Sequence, residues 1–186
     1  MNQIKKIILT GPPGTGKTSI INKLKKLGFT CFDEVWDDNY ENPSKKNDSD
    51  SIIEFSKYLF NKRKDQFEYN IKSEKIKEEY IFYDRSLIDV VSYLKTYNKK
   101  IPAHWIKYIE EKKYYNNVFY CPLWEDIYVS NIGRKENYEE TIIIDNFMRD
   151  FYKKLGYKIK ELPKESILNR IEFIFNNLWK KKKYYF

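Results

Sequence analysis

The chain has 186 residues and a net charge of +8; 41% of the residues are hydrophobic and 33% are charged. This length and composition predict a single folded domain over residues 1–186 and exclude wholesale disorder. No apolar run reaches the roughly 20 residues that a membrane-spanning helix needs, and the first apolar stretch is too short for a signal peptide. We therefore expect a cytoplasmic protein without a membrane span.

Cysteine and histidine content narrows the chemistry further. Cys31 and Cys121 are too few for a disulfide scaffold or a zinc site, and the single histidine, His104, excludes most histidine-based catalytic triads. We expect the two cysteines to lie on opposite sides of the fold and to stay unpaired.

The positive charge by itself suggests nucleic-acid binding. Of the 35 basic residues, however, only five are arginine, and the lysines are spread through every segment. A dedicated phosphate-binding groove more often clusters its charges and uses arginine. The sequence therefore disfavours a nucleic-acid partner.

The N-terminal stretch carries the strongest motif. Residues 4–10 read as a strand, residues 11–18 spell GPPGTGKT and match the phosphate-loop pattern G-x-x-x-x-G-K-[ST], and residues 19–27 show helical spacing. The strand, the glycine loop and the helix follow in the order that the motif requires, so the sequence predicts nucleotide binding.

The chemistry of this motif assigns a role to each position. The glycines let successive backbone N–H groups turn toward a polyphosphate, and the helix N-terminus adds its dipole. Lys17 is expected to reach the β- and γ-phosphates of ATP, and the Thr18 hydroxyl to bind Mg²⁺. The predicted nucleotide-binding residues are Gly11, Pro12, Pro13, Gly14, Thr15, Gly16, Lys17, Thr18 and Ser19.

The second predicted strand, 29–32, ends in two acids. Asp33 and Glu34 stand where ligands bind in open α/β sheets, so Glu34, or Asp33, is a candidate to orient an acceptor hydroxyl and take its proton. An acidic turn is an equally good interpretation. A helix follows from about residue 50, and its Arg63 is expected on a solvated face.

The third predicted strand, 80–83, leads into Asp84 and Arg85. An acid at this point is where a Walker-B carboxylate falls, so Asp84 is expected to hold Mg²⁺ and Arg85 to meet phosphate or the acceptor. Asp84 could also cap the helix that follows, which is compatible with a metal role.

The rest of the chain continues the alternation of strands and helices. Further strands are predicted at 117–120 and 157–162. Residues 123–138 are expected to form a lid segment over the site, and residues 180–186 a frayed tail of basic and aromatic residues. The pattern predicts an α/β fold: a five-stranded parallel sheet flanked by helices, with the loop strand at its centre.

Several motifs together resemble a known family. They are Asp84-Arg85-Ser86 with Asp89, Pro122-Leu123-Trp124 before Arg134, and Tyr152-x-x-Leu155-Gly156-Tyr157 before Leu162-Pro163 and Arg170. The chain resembles the small AAA-like P-loop family that includes nicotinamide-riboside kinase domains of bifunctional NAD-biosynthesis proteins and nucleotide-binding domains of TRP-channel translocation-defect proteins.

The resemblance implies a nucleoside-kinase-like fold, with Arg134 on a lid that closes over the phosphates and Pro163 near the base pocket. As an enzyme, the chain is expected to use ATP and Mg²⁺ and to phosphorylate a hydroxyl of a nucleoside-like small molecule. Residues 33–36 and 129–134 depart from the family pattern, so the acceptor is not taken from the resemblance. Two alternatives remain open: a nucleotide-dependent switch that engages a protein or lipid, and a polynucleotide 5′-hydroxyl kinase.

Overall fold

The computed structural model describes residues 4–35, 49–69, 79–127 and 138–179. Its core is a five-stranded sheet in which every neighbouring pair is parallel and the strand order is β2-β3-β1-β4-β5. The strands are β1 (Lys5–Thr10), β2 (Thr30–Phe32), β3 (Tyr80–Asp84), β4 (Asn117–Tyr120) and β5 (Lys158–Glu161). The predicted architecture, with the loop strand at the centre, is confirmed.

Helices cover both faces of the sheet. They are α1 (Lys17–Lys26), α2 (Ser49–Glu68), α3 (Leu87–Thr96), α4 (Ala103–Glu111), α5 (Tyr138–Lys154) and α6 (Ile167–Leu178), with a short 3₁₀ turn at Glu125–Ile127. Because successive strand residues point to opposite faces, β1 divides its apolar side chains between two cores. Ile7 and Leu9 pack with the α1 and α6 side chains, whereas Ile8 packs with those of α2, α3, α4 and α5.

The register of the parallel strands aligns their carboxyl ends. Leu9 of β1 pairs with Asp84 of β3, and Thr10 pairs with Tyr120 of β4. The residues that follow each strand therefore emerge along one edge, where open α/β sheets bind their ligands. Cys31 and Cys121 are both free, as the sequence predicted.

One sequence expectation about the fold is wrong. Arg63 does not lie on a solvated face: its side chain is 4% exposed, and its Nη1 donates to the Ser86 carbonyl at 2.9 Å. Its neighbours Lys62 and Lys64 take the outer positions of α2, so the helix rotates the arginine inward.

Most of the predicted lid, 123–138, and all of the tail, 180–186, lie outside the described residues. In the part of the chain that is described, no helix combines the length and apolar character needed to cross a membrane.

Candidate nucleotide-binding site

The phosphate loop connects β1 to α1 through glycines with positive φ angles. Gly11 has φ 135°, and a Cβ placed there would lie 2.2 Å from the Cys121 carbonyl oxygen. Gly16, with φ 81°, is the residue before the first turn of α1. At Gly11 the tight approach of Cys121, the residue directly after β4, leaves no room for a side chain.

Four backbone carbonyls of the loop already have donors from the surrounding protein. The Gly11 carbonyl accepts from Arg85 Nη1 at 3.2 Å, and the Thr15 carbonyl from Arg170 Nη1 at 3.0 Å. The Pro12 carbonyl accepts from Thr15 Oγ1 at 2.9 Å, and the Gly16 carbonyl from the Ile20 amide at 3.3 Å. A loop whose carbonyls are satisfied by the protein can give its N–H groups to an anion.

Lys17 folds its ammonium group back over this loop. The side chain is 4% exposed, and Nζ donates to the Pro12 carbonyl at 2.7 Å. Burial, together with the charge of nearby Arg85, lowers the pKa of Lys17 to about 8. A buried cation whose hydrogen bonds go to the neutral Pro12 carbonyl and Thr15 hydroxyl is electrostatically suited to an incoming phosphate.

Thr18 and Asp84 form a second polar pair beside the loop. Thr18 Oγ1 donates to Asp84 Oδ2 at 3.0 Å. The other carboxylate oxygen, Oδ1, is buried and has no hydrogen-bond partner among the described residues. Burial also raises the pKa of Asp84. A hydroxyl and a buried carboxylate with one free oxygen are hard oxygen donors that fit Mg²⁺.

Arg85 connects the loop to the end of β2. Its Nε donates to Glu34 Oε1, its Nη1 reaches the Gly11 carbonyl, and Nη1 also lies 3.7 Å from Asp89 Oδ1. Its backbone φ of 71° is unusual for a residue with a side chain. Such conformations persist where the surroundings fix them, often at functional sites.

Glu34 is ionised by these neighbours. Burial alone raises its pKa, but the charges of Arg85, Lys17 and Arg63 outweigh that effect and lower the pKa to about 2. The Glu34 side chain is 35% exposed, and its Oε1 accepts from Arg85 Nε. Asp33, the alternative acid, instead pairs with Lys25 at the surface.

An open pocket of about 440 Å³ begins at Glu34. Aromatic side chains and a few polar groups supply its walls, a composition common in small-molecule sites. The lining residues are Phe32, Glu34, Val35, Tyr58, Lys62, Asp65, Gln66 and Tyr69.

A buried network lies behind Arg85, and it gives Ser86 and Asp89, which the sequence named only as part of a resemblance, a structural role. Asp89 is fully buried, and its Oδ2 accepts from the Ser86 amide, from the Ser86 hydroxyl and from Tyr152 at 2.6 Å. Its Oδ1 accepts from Thr10, the last residue of β1. The capping-box spacing of Ser86 and Asp89 was the available sequence signal.

The structure brings most of the predicted site residues together. Lys17, Thr18, Asp84, Arg85 and Glu34 surround the phosphate loop at one sheet edge. Pro163 follows β5 at the same edge, two strands from β1. Arg134 lies outside the described residues.

Arg170 contacts the loop, a role that the sequence did not predict although Arg170 belongs to the resemblance. It stands 155 positions after Thr15, and no local pattern joins it to the loop. The scarcity of arginine in this lysine-rich chain is the signal that could have found it.

The glycine loop between a central parallel strand and a helix, with an acid at the end of the adjacent strand, defines the chain as a P-loop protein. A family model described as "AAA domain" matches residues 6–170. The chain belongs to this AAA-domain family. No curated protein sequence matches it, and kinship with the nicotinamide-riboside kinase and TRP-channel proteins is not shown by these matches.

Solved structures share the fold at low sequence identity. Deoxyadenosine kinase from M. mycoides, with the products dCMP and dCDP, is 21% identical with a TM-score of 0.68, over 93% of this chain and 97% of that one. Thymidylate kinase from Ehrlichia chaffeensis is 14% identical with a TM-score of 0.62, over 95% and 100%. Shikimate kinase from Acinetobacter baumannii is 12% identical with a TM-score of 0.56, over 98% and 97%.

Proposed function

We propose that the protein is a kinase that transfers the γ-phosphoryl group of ATP to a hydroxyl of a nucleoside-like small molecule. The observation that carries the proposal is the meeting of two pairs at one sheet edge: Thr18 with Asp84 beside the phosphate loop, and Glu34 with Arg85 beside an open pocket. The three kinases that share this fold act on small molecules, and one of them is solved with bound dATP, which supports the proposal.

On the donor side, the loop N–H groups and Lys17 hold the ATP phosphates. Lys17 leaves the Pro12 carbonyl and moves to the phosphate oxygens, where its charge has a stronger partner. Thr18 and Asp84 hold Mg²⁺, which supplies neutralisation of the charge on the β- and γ-phosphates when bound.

On the acceptor side, Glu34 orients the attacking hydroxyl. The hydroxyl oxygen forms a bond to the γ-phosphorus, the bond to the β–γ bridging oxygen breaks, and ADP leaves. Because a carboxylate with a pKa of about 2 is a weak base, Glu34 accepts the hydroxyl proton late, after most of the bond to the leaving oxygen has broken. Arg85 holds Glu34 in place and presents its charge to the acceptor or to the γ-phosphate.

The aromatic pocket supplies the place for a planar acceptor. Phe32, Tyr58 and Tyr69 line it with aromatic rings, although the Phe32 ring also stacks on Tyr83. Gln66 adds a side-chain amide whose Nε2 donates to the Asp33 carbonyl at 3.0 Å. A nucleoside places its base among such groups and leaves its sugar hydroxyl toward Glu34. Arg134, which the resemblance places on a lid, is expected to add its charge at the transition state, and that role stays a prediction.

A nucleoside panel tests the proposal. Thermal-shift screening with ATP·Mg²⁺ present identifies acceptors, and an ADP-release assay with each hit measures transfer. The proposal requires release that depends on the acceptor. ATP binding without acceptor-dependent release points instead to a nucleotide switch, and release that depends on a DNA or RNA 5′-hydroxyl points to a polynucleotide kinase.

A further inference from the structure

The Arg170 guanidinium lies directly behind the phosphate loop. Arg170 belongs to the first turn of α6, is 2% exposed, and donates from Nη1 to the Thr15 carbonyl at 3.0 Å. Its Nε is buried and finds no partner within the described ranges. Burying a charged group this deeply costs free energy unless the group is paired and hydrogen-bonded.

The surroundings fix the guanidinium at this place. A Cβ on Gly16 would lie 3.0 Å from Nη1 and 3.7 Å from Ile127 Cδ1, so the arginine touches the loop backbone from one side. The ring centre of Trp124, in the segment after β4, lies 6.0 Å from Cζ. The contact therefore joins the end of the described fold to the loop at its beginning.

The hydrogen bond from Arg170 to the Thr15 carbonyl also determines the direction of the Gly16 N–H group. The Thr15 carbonyl and the Gly16 N–H belong to the same planar trans peptide unit, and they point in opposite directions. A donor that holds the carbonyl from behind therefore directs the Gly16 N–H toward the opposite, ligand side. The guanidinium charge also polarises this peptide, which makes its N–H a stronger donor.

We infer that Arg170 is a positioning residue for the donor phosphates: it fixes the Thr15–Gly16 peptide so that the Gly16 N–H faces bound ATP. The inference rests on the ATP binding proposed above. It adds a residue from α6, outside the phosphate-loop motif, to the set that determines affinity for the nucleotide.

Arg63 provides a matched control. It is also a buried arginine, 4% exposed, with one bond from Nη1 to a backbone carbonyl and a buried Nε without a partner in the described part of the chain. Its carbonyl partner is Ser86, which lies off the loop, and its charge acts on Glu34 on the acceptor side. Affinity for ATP, and not turnover, is therefore the readout that this control allows. Substituting Arg63 tests the effect of losing a buried arginine without changing the loop contact.

The test compares Arg170→Met and Arg63→Met in the full chain, with ATP·Mg²⁺ affinity measured by calorimetry and the melting temperature recorded for each. Loss of a buried, charge-assisted hydrogen bond predicts an affinity for ATP about tenfold to a hundredfold weaker in Arg170→Met. Arg63→Met is expected to lower the melting temperature and to leave ATP affinity unchanged. Arg170→Lys, which keeps a donor, is expected to recover part of the affinity.

Wild-type ATP affinity in a folded Arg170→Met variant overturns the inference, and so does an equal loss in Arg63→Met. If Arg170→Met does not fold, the inference is tested instead by the NMR chemical shift of the Gly16 amide in the wild-type protein. The resonance must shift when a non-hydrolysable ATP analogue binds, and an unshifted resonance in the saturated complex contradicts the inference. If the wild-type protein binds no ATP, the proposed function fails; if only the Arg170 results fail, the proposed function stands.

Discussion

Thr18 and Asp84 share a hydrogen bond of 3.0 Å, although 66 positions separate them in the chain. The contact follows from the sheet: β1 and β3 are neighbours, and Leu9 pairs with Asp84. The loop after β1 therefore carries the Thr18 hydroxyl to the end of β3. Two oxygen donors from distant segments thus meet where Mg²⁺ is proposed to bind.

Substituting Asp84 by asparagine should raise the Mg²⁺ concentration needed for half-maximal activity by about tenfold or more, because a neutral amide replaces an anionic ligand. A magnesium titration at saturating ATP measures the effect. Asp150→Asn, which changes an exposed acid on α5, is the control. Equal magnesium requirements in the wild type and Asp84→Asn would contradict the assignment.

The pKa of Lys17 predicts proton uptake when ATP binds. The pKa is about 8 in the free protein, so a substantial fraction of Lys17 is neutral at pH 8. Phosphate favours the charged form and raises the pKa, so binding at pH 8 takes up protons, and affinity falls as pH rises through about 8.

Calorimetry in buffers of different ionisation enthalpy measures that uptake. Lys17→Ala should abolish ATP binding while leaving the circular dichroism spectrum unchanged. Proton release by the wild type at pH 8, or unchanged ATP affinity in Lys17→Ala, would contradict the role of Lys17.

Glu34→Gln should slow phosphorylation of the acceptor about a hundredfold, which is the lower end of the range for losing a positioned acid–base group. The affinity for ATP should stay unchanged. The neighbouring Asp33→Asn is the control, because Asp33 is exposed and pairs with Lys25. Steady-state rates at saturating ATP separate the two variants. A larger loss in Asp33→Asn would transfer the role to Asp33.

The pKa of Glu34 also predicts the shape of the pH profile. Since the pKa is about 2, Glu34 stays ionised throughout the range in which the protein can be assayed. The wild-type rate should therefore show no acidic limb near pH 4.5 caused by this group. A limb at that pH that disappears in Glu34→Gln would show that the carboxyl titrates normally.

Gly11→Ala should destabilise the fold more than Gly28→Ala does. Both glycines have positive φ, but a Cβ at Gly11 meets the Cys121 carbonyl at 2.2 Å, whereas a Cβ at Gly28 meets nothing within 4 Å. Gly28→Ala then costs the conformational term alone, about 1–2 kcal/mol, and Gly11→Ala adds about 1–3 kcal/mol of overpacking. Urea unfolding measures both, and equal losses would contradict the close approach.

The local part of this account could be predicted from the sequence. The GPPGTGKT stretch, the strands and the position of Asp84 follow from patterns only a few residues long, and the parallel sheet follows from the alternation of strands with helices. Arg170 and the buried orientation of Arg63 could not be read in this way, because tertiary packing sets the rotation of a helix about its axis.

The spacing of residues along the whole of α2 could have predicted that Arg63 is buried. The buried positions Ser56, Phe60, Arg63 and Phe67 recur at spacings of four, three and four, and the charge of Arg63 concealed this pattern. The Asp89 network shows a second limit. The Ser86–Asp89 spacing indicates a helix cap, but only the fold brings Thr10 and Tyr152 to the same carboxylate.

The most direct test of the central claim is phosphorus NMR of ATP·Mg²⁺ with the protein and the nucleosides selected by thermal shift. We expect a new phosphomonoester signal that grows in step with ADP, requires the nucleoside, and is absent with Lys17→Ala. If the wild-type protein binds ATP·Mg²⁺ and yields no phosphomonoester with any nucleoside, the proposed phosphoryl transfer to a nucleoside-like acceptor is contradicted.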